Sequence, residues 1–137
     1  MAARLLIFAS AAIIFALGAV HLWYTFSGPK LRPRDPELEN RLKAVSPVIT
    51  SQTTMWKAWV GFNASHSYGA ILFGAVYGYL TLVHGAFLFQ STFLLVLGLL
   101  MLVAYADLAR RYWFRIPLLG ILLATFLYAL GLALVTL

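Results

Sequence analysis

The charged residues of this chain are confined to short stretches, and the segments between them are long and apolar. Residues 5–29, 58–106 and 116–137 contain no Asp, Glu, Lys or Arg. A helix needs about 20 apolar residues to cross the hydrocarbon core of a membrane. The first and last segments therefore each predict one spanning helix, and the middle segment is long enough for two, separated by a turn near His84.

This pattern predicts an all-α fold, an antiparallel four-helix transmembrane bundle that forms a single domain over residues 1–137. The predicted spans are residues 4–26, 55–82, 87–108 and 114–135. A surface connection at about 28–54 separates the first two spans, whereas the later turns are short, so we expect consecutive spans to pack antiparallel. The composition agrees, because 10% of the residues are charged against about 25% in soluble domains.

The surface connection carries the signals of a short helix of its own. Asp35 is a suitable N-cap and Pro36 suits the first helical position. Apolar residues then recur at helical spacing until the Ser46-Pro47 pair ends the pattern. These apolar residues are Leu38, Leu42 and Val45. We expect an interfacial helix that lies on the membrane with its apolar side down.

The distribution of positive charge predicts the orientation. Nine of the ten Lys and Arg residues lie in or beside the first and third connections, and Arg4 is the exception. Because positive residues favour the cytoplasmic side, we expect a cytoplasmic (inner) membrane protein with both termini outside and both basic connections in the cytoplasm. This placement explains the +6 net charge without nucleic acid as a partner, and leaves membrane lipids as the expected surroundings. The absence of cysteine excludes thiolate catalysis, disulfides and Cys-ligated metals.

The second predicted span has one polar face that is unusual for a membrane helix. On a helical wheel centred on Asn63, and with Ser65 and Tyr68 as exceptions on the opposite side, a set of polar, aromatic and small residues shares one side. They are Trp56, Trp59, His66, Ser67, Ala70, Gly74, Tyr77, Gly78 and Thr81. Unsatisfied polar groups are costly in lipid, so this face should turn inward. Gly74 and Gly78 form a GxxxG motif, which predicts close helix packing.

The first span brings His21 and Tyr24 to the same predicted depth as the polar half of the second span. We therefore expect a polar and aromatic pocket at the cytoplasmic end, with Trp56 and Trp59 as an aromatic wall. The predicted ligand-binding residues are His21, Tyr24, Trp56, Trp59, Asn63 and Ser67. The leading hypothesis is that this pocket binds a small amphipathic or lipid-like ligand.

Three alternatives remain open. The chain could be a small membrane enzyme in which His66 acts as general acid or base. It could be a structural or assembly subunit that packs through Gly74 and Gly78, and a homo-oligomer is compatible with this hypothesis. No cofactor and no metal site are predicted, although His21 and His66 on neighbouring antiparallel spans are compatible with bis-histidine haem ligation.

The polar start of the second span also carries a family resemblance. The segment from Trp56 to Ser67 has the pattern W-x2-W-x-G-F-N-x-S-H-S and is followed by Gly69 and Phe73-Gly74. Together with the stretch RYWFRIP that ends at Pro117, it resembles the signature of small bacterial four-span integral membrane proteins. This resemblance implies the four-span architecture and no particular activity.

Overall fold

The computed structural model describes residues 1–136, and over these residues the chain is all-helical. The helices are α1 (Ala2–Phe26), α2 (Pro36–Ala44), α3 (Met55–Val83), α4 (Gly85–Gln90), α5 (Thr92–Tyr112) and α6 (Arg115–Thr136). The expected all-α class is confirmed for the described part of the chain, which contains no strand.

Three of these helices are long and apolar enough to cross a membrane, namely α1, α5 and α6. Helix α3 is longer, with 29 residues, but it is not among them. Its polar first half, including Asn63 and His66, and its glycines lower its mean hydropathy. The three apolar helices support a membrane protein, and the fourth crossing that the sequence predicted stays a prediction.

The first, second and fourth predicted spans agree with the bounds of α1, α3 and α6 to within two residues. The third predicted span differs more from α5. Helix α5 begins at Thr92 rather than at residue 87, and it continues to Tyr112 rather than ending at 108. Ser91 explains the start, because its Oγ accepts a hydrogen bond from the backbone N–H of Leu94 at 3.3 Å and so caps the helix. The preceding residues form the separate short helix α4.

The described chain groups into two compact units, residues 1–17 with 70–136 and residues 18–69. In the first unit, helices α5 and α6 pack against each other. The fully buried Tyr128 of α6 donates from its hydroxyl to the carbonyl of Leu95 at 3.1 Å. Gly98 makes room for this ring, because any Cβ there would overlap the Tyr128 hydroxyl.

The first unit also contains the close packing that the GxxxG motif predicted. A Cβ at Gly74 would lie 2.5 Å from the Cβ of Phe15 and 2.6 Å from the carbonyl oxygen of Ala11. Gly78 is less tightly packed, since its nearest neighbour would be the Phe8 ring at 3.8 Å. Gly74 is therefore already used for packing within the chain, against α1.

The second unit contains the end of α1, helix α2 and the start of α3. Helix α2 begins at Pro36 as the sequence predicted, and the Asp35 side chain accepts from the backbone N–H of Glu37 at 2.9 Å; the helix ends at Ala44, so Val45, which the pattern included, is its extended C-cap. Gly28 lies between α1 and α2 with a φ of 80°, a left-handed conformation that favours glycine. The candidate site lies entirely within this unit.

Candidate functional site

The centre of the site is a hydrogen bond between two helices. His21 near the end of α1 and Asn63 in α3 approach to 2.9 Å between Nε2 of the imidazole and Oδ1 of the amide. The amide nitrogen of Asn63 donates to the backbone carbonyl of Trp59 at 2.8 Å. Two residues that the sequence predicted as ligand-binding are thus brought into direct contact.

This network determines the tautomer of His21. Because a carbonyl oxygen only accepts hydrogen bonds, the Asn63 group that faces Trp59 must be the NH₂, and the group that faces His21 must be the oxygen. The oxygen also only accepts, so His21 Nε2 must carry the proton that forms the bond. In the neutral imidazole, Nδ1 then carries the lone pair.

His66 lies one helical turn beyond Asn63 on the same face of α3, and it contacts His21. The ring centroids are 5.4 Å apart and the planes are perpendicular. Both imidazoles are half-buried. The sequence predicted a shared depth for these two side chains but did not predict their contact, which depends on the register of two separate helices.

Ser67 has a different environment from the one that the sequence suggested. It is fully buried, and its hydroxyl donates to the Asn63 carbonyl at 2.8 Å within α3. It does not line the pocket described below. Its role as a ligand-binding residue stays a prediction, with no support from this geometry.

A small, partly open pocket of about 50 Å³ lies beside the His21–Asn63 bond. Its walls come from the end of α1, the connection that follows it and the first three turns of α3. The lining residues are Tyr24, Thr25, Phe26, Gly28, Leu31, Arg32, Trp56, Trp59, Val60 and Asn63. Four of the predicted ligand-binding residues are among them, and Asn63 belongs both to this wall and to the hydrogen bond with His21.

Sequence reasoning missed the contribution of the connection, above all Leu31 and Arg32. The indole N–H of Trp59 donates to the carbonyl of Leu31 at 3.1 Å and so ties the connection to α3. The Gly28-Pro29 pair is a recognisable turn signal. It indicates that the chain turns here, but it does not indicate which residues reach α3.

Cationic groups surround the aromatic walls of the pocket. The Lys30 ammonium lies 5.2 Å from the centre of the Tyr24 ring, and the Lys43 ammonium lies 5.4 Å from that of Trp56. Lys43 also donates a hydrogen bond to Glu39, and this bond lowers the pKa of the Glu39 carboxyl below its ordinary value. The electrostatic surroundings of the pocket are therefore mainly positive.

The imidazole pair does not have the geometry of a haem site. The two rings contact each other directly, and Nε2 of His21 is hydrogen-bonded to Asn63. Bis-histidine ligation needs the two rings on opposite sides of a porphyrin. Two rings in direct contact leave no space between them for a porphyrin. Within residues 1–136, no three His, Cys, Asp or Glu side chains are grouped as metal ligands would be.

Comparison of the chain with protein-family models, with curated proteins and with solved structures finds no match. The function of the site is therefore inferred from its own residues and geometry. The resemblance of the segment from Trp56 to Ser67 to the four-span family stays a prediction.

Proposed function

We propose that this chain is a four-span protein of the cytoplasmic membrane whose pocket binds a small amphipathic or lipid-like ligand. As the fourth span we assign α3, whose 29 residues extend over about 43 Å at 1.5 Å per residue. Its one charged residue, Lys57, lies in its first turn. The positive-inside rule then orients the pocket toward the cytoplasmic face, with both termini outside.

The observation that carries the proposal is the double role of Asn63. A polar side chain inside a span is costly unless it has partners, and Asn63 has two partners within the protein while still lining the pocket. The chain thus places an oriented amide, hydrogen-bonded to an imidazole, at the wall of a cavity that four aromatic side chains also line. Such a surface can hold the polar end of a ligand.

The volume of the pocket indicates how much of the ligand it holds. Sites for whole drug-sized ligands enclose about 300–1,000 Å³, whereas this pocket encloses about 50 Å³. It therefore accommodates a headgroup-sized fragment, and the hydrocarbon part of the ligand stays among the lipids. An amphipathic molecule has these two parts, a polar headgroup and an apolar tail.

Native mass spectrometry of the protein after gentle extraction tests the proposal. We expect a retained small molecule in the wild type and its loss in Trp59→Ala, which removes one pocket wall. Phe62→Ala is the matched control, because Phe62 is an exposed aromatic residue of the same helix outside the pocket. Equal retention in both variants, or no bound molecule in any of them, would contradict ligand binding at this site.

The contact between His21 and His66 favours a second candidate, a membrane enzyme with His66 as general acid or base. The tautomer of His21 is fixed by Asn63, and a second titratable ring stands beside it, 5.4 Å between centroids. Such a pair can transfer a proton to or from a bound lipid-like substrate. Turnover of a lipid panel that is the same in the wild type and in His66→Gln would refute this role.

A further inference from the structure

The second compact unit, residues 18–69, is rich in positive charge around the pocket. It contains six Lys or Arg residues and three Asp or Glu residues. Lys30, Arg32 and Lys43 lie against or among the pocket walls. In the described part of the chain, Glu39 is the one acid that forms ion pairs with any of these three.

Arg32 is the cation that the pocket itself contains. Its guanidinium approaches Glu39 only to 3.9 Å between Nη1 and Oε1, at the outer limit of an ion pair. Glu39 is engaged instead by the hydrogen bond from Lys43. The Arg32 side chain is 56% exposed, whereas that of Glu39 is 13% exposed. Donors of Arg32 therefore remain accessible at the pocket.

The aromatic walls are already in contact with cations of the chain itself. Aromatic rings often form cages for quaternary ammonium ligands, and the Tyr24 and Trp56 rings would suit such a cage if they were free. Here each has a lysine ammonium within 5.4 Å of its centre. A cationic headgroup would be repelled by these two lysines and by Arg32, whereas an anion would be attracted to all three.

We propose that the ligand of this pocket carries an anionic headgroup, a phosphate or carboxylate on a hydrocarbon tail, and that Arg32 is its main cationic contact. The planar guanidinium donates paired hydrogen bonds that match the oxygens of both groups. This inference rests on the proposed function, because it names the class of ligand for the same pocket.

Tryptophan fluorescence offers a direct test. The chain has four Trp residues, and replacing Trp23 and Trp113 by Phe leaves only the two that line the pocket. In this background, in phosphatidylcholine nanodiscs, we expect a saturable change on addition of dioctanoyl phosphatidic acid or octanoate. Dioctanoyl phosphatidylcholine and uncharged monooctanoylglycerol should bind at least tenfold more weakly.

Two substitutions in the connection make the test specific for one guanidinium. Arg32→Gln should weaken binding of phosphatidic acid by about tenfold or more, as expected for loss of a hydrogen bond between charged groups. Arg34→Gln is the matched control and should change the affinity less than twofold, because Arg34 is exposed and does not line the pocket. Arg32→Lys, which keeps the charge without the paired donors, should lie between the two.

The outcomes separate this inference from the proposed function. Equal binding of monooctanoylglycerol, or equal affinities in Arg32→Gln and Arg34→Gln, would overturn the anionic headgroup and leave an amphiphile-binding pocket. No saturable change with any amphiphile would overturn both. Inorganic phosphate that binds as tightly as phosphatidic acid, with the same dependence on Arg32, would replace the amphiphile by a soluble anion.

Discussion

The hydrogen bond between His21 and Asn63 should determine both the tautomer of the imidazole and a measurable part of the stability. Asn63→Leu keeps a side chain of similar size and removes both hydrogen bonds of the amide. A buried donor without its partner costs about 1–3 kcal/mol. Because His21 is only half-buried, the cost should be near the lower end. Leucine has the better helix propensity and recovers about 0.5 kcal/mol of a cost of about 1–1.5 kcal/mol, so we expect a net destabilisation of about 0.5–1 kcal/mol.

Unfolding of the purified protein by SDS in mixed micelles measures this free energy. Ser65→Leu is the control, since Ser65 is an exposed polar residue of the same helix whose hydroxyl bonds only within its own turn. It should change the free energy of unfolding by less than about 0.5 kcal/mol. Imidazole ¹⁵N spectra, recorded where the ring is neutral, should show the Nε2–H tautomer of His21 in the wild type and a mixture in Asn63→Leu. An Nδ1–H tautomer in the wild type would refute the assigned network.

Two further predictions follow from contacts outside this network. Gly74→Ala should destabilise the protein by about 1–3 kcal/mol, as overpacking does, because the added Cβ meets the backbone and Cβ of Phe15. Gly61→Ala in the same helix meets no atom within 4 Å and should be neutral or stabilising by up to about 1 kcal/mol, which the same SDS titration measures. Glu39, in turn, should titrate below the ordinary pKa of a glutamate when followed by side-chain carboxyl ¹³C shifts. Lys43→Gln should raise this pKa, because the hydrogen bond that lowers it is lost; an unchanged midpoint would contradict that cause. Since the folded-state pKa is lowered, the stabilising effect of this pair is present at neutral pH and is lost as the pH falls through that pKa.

Much of the helical architecture is predictable because the signals are local. The N-cap Asp35 and the proline that follows it are enough to predict the start of α2. The absence of charged residues over long segments is enough to predict α1 and α6. The start of α5 is different. Several residues between His84 and Ser91 can interrupt a helix, and their capping energies differ too little for the sequence to choose among them.

The candidate site was predictable in part, for a comparable reason. Helical periodicity groups Trp59, Asn63 and His66 on one face of α3, and the structure keeps them there. A wheel gives direction and not depth, so it could not predict that Asn63 would bond to His21 rather than to another polar group. Helical periodicity could not predict the position of Arg32, because Arg32 lies in a connection whose path depends on tertiary contacts.

The pairing of Trp59 with the Leu31 carbonyl is such a tertiary contact. It links residues 28 positions apart, and nothing in the local sequence of either residue specifies the other. The pocket residues that come from this irregular segment could therefore be identified only from the structure.

Photo-crosslinking would test most directly whether an amphiphile places its headgroup in this pocket. A phosphatidic acid with a diazirine close to the phosphate would be activated in membranes that contain the wild-type protein, and the labelled residues would be mapped by tandem mass spectrometry. We predict that the label concentrates on residues 24–32 and 56–63 and that excess unlabelled phosphatidic acid competes for it. Labelling spread along exposed apolar positions of α5 and α6, such as Phe93, Leu100, Ile116 and Phe126, without competition, would contradict the proposed site.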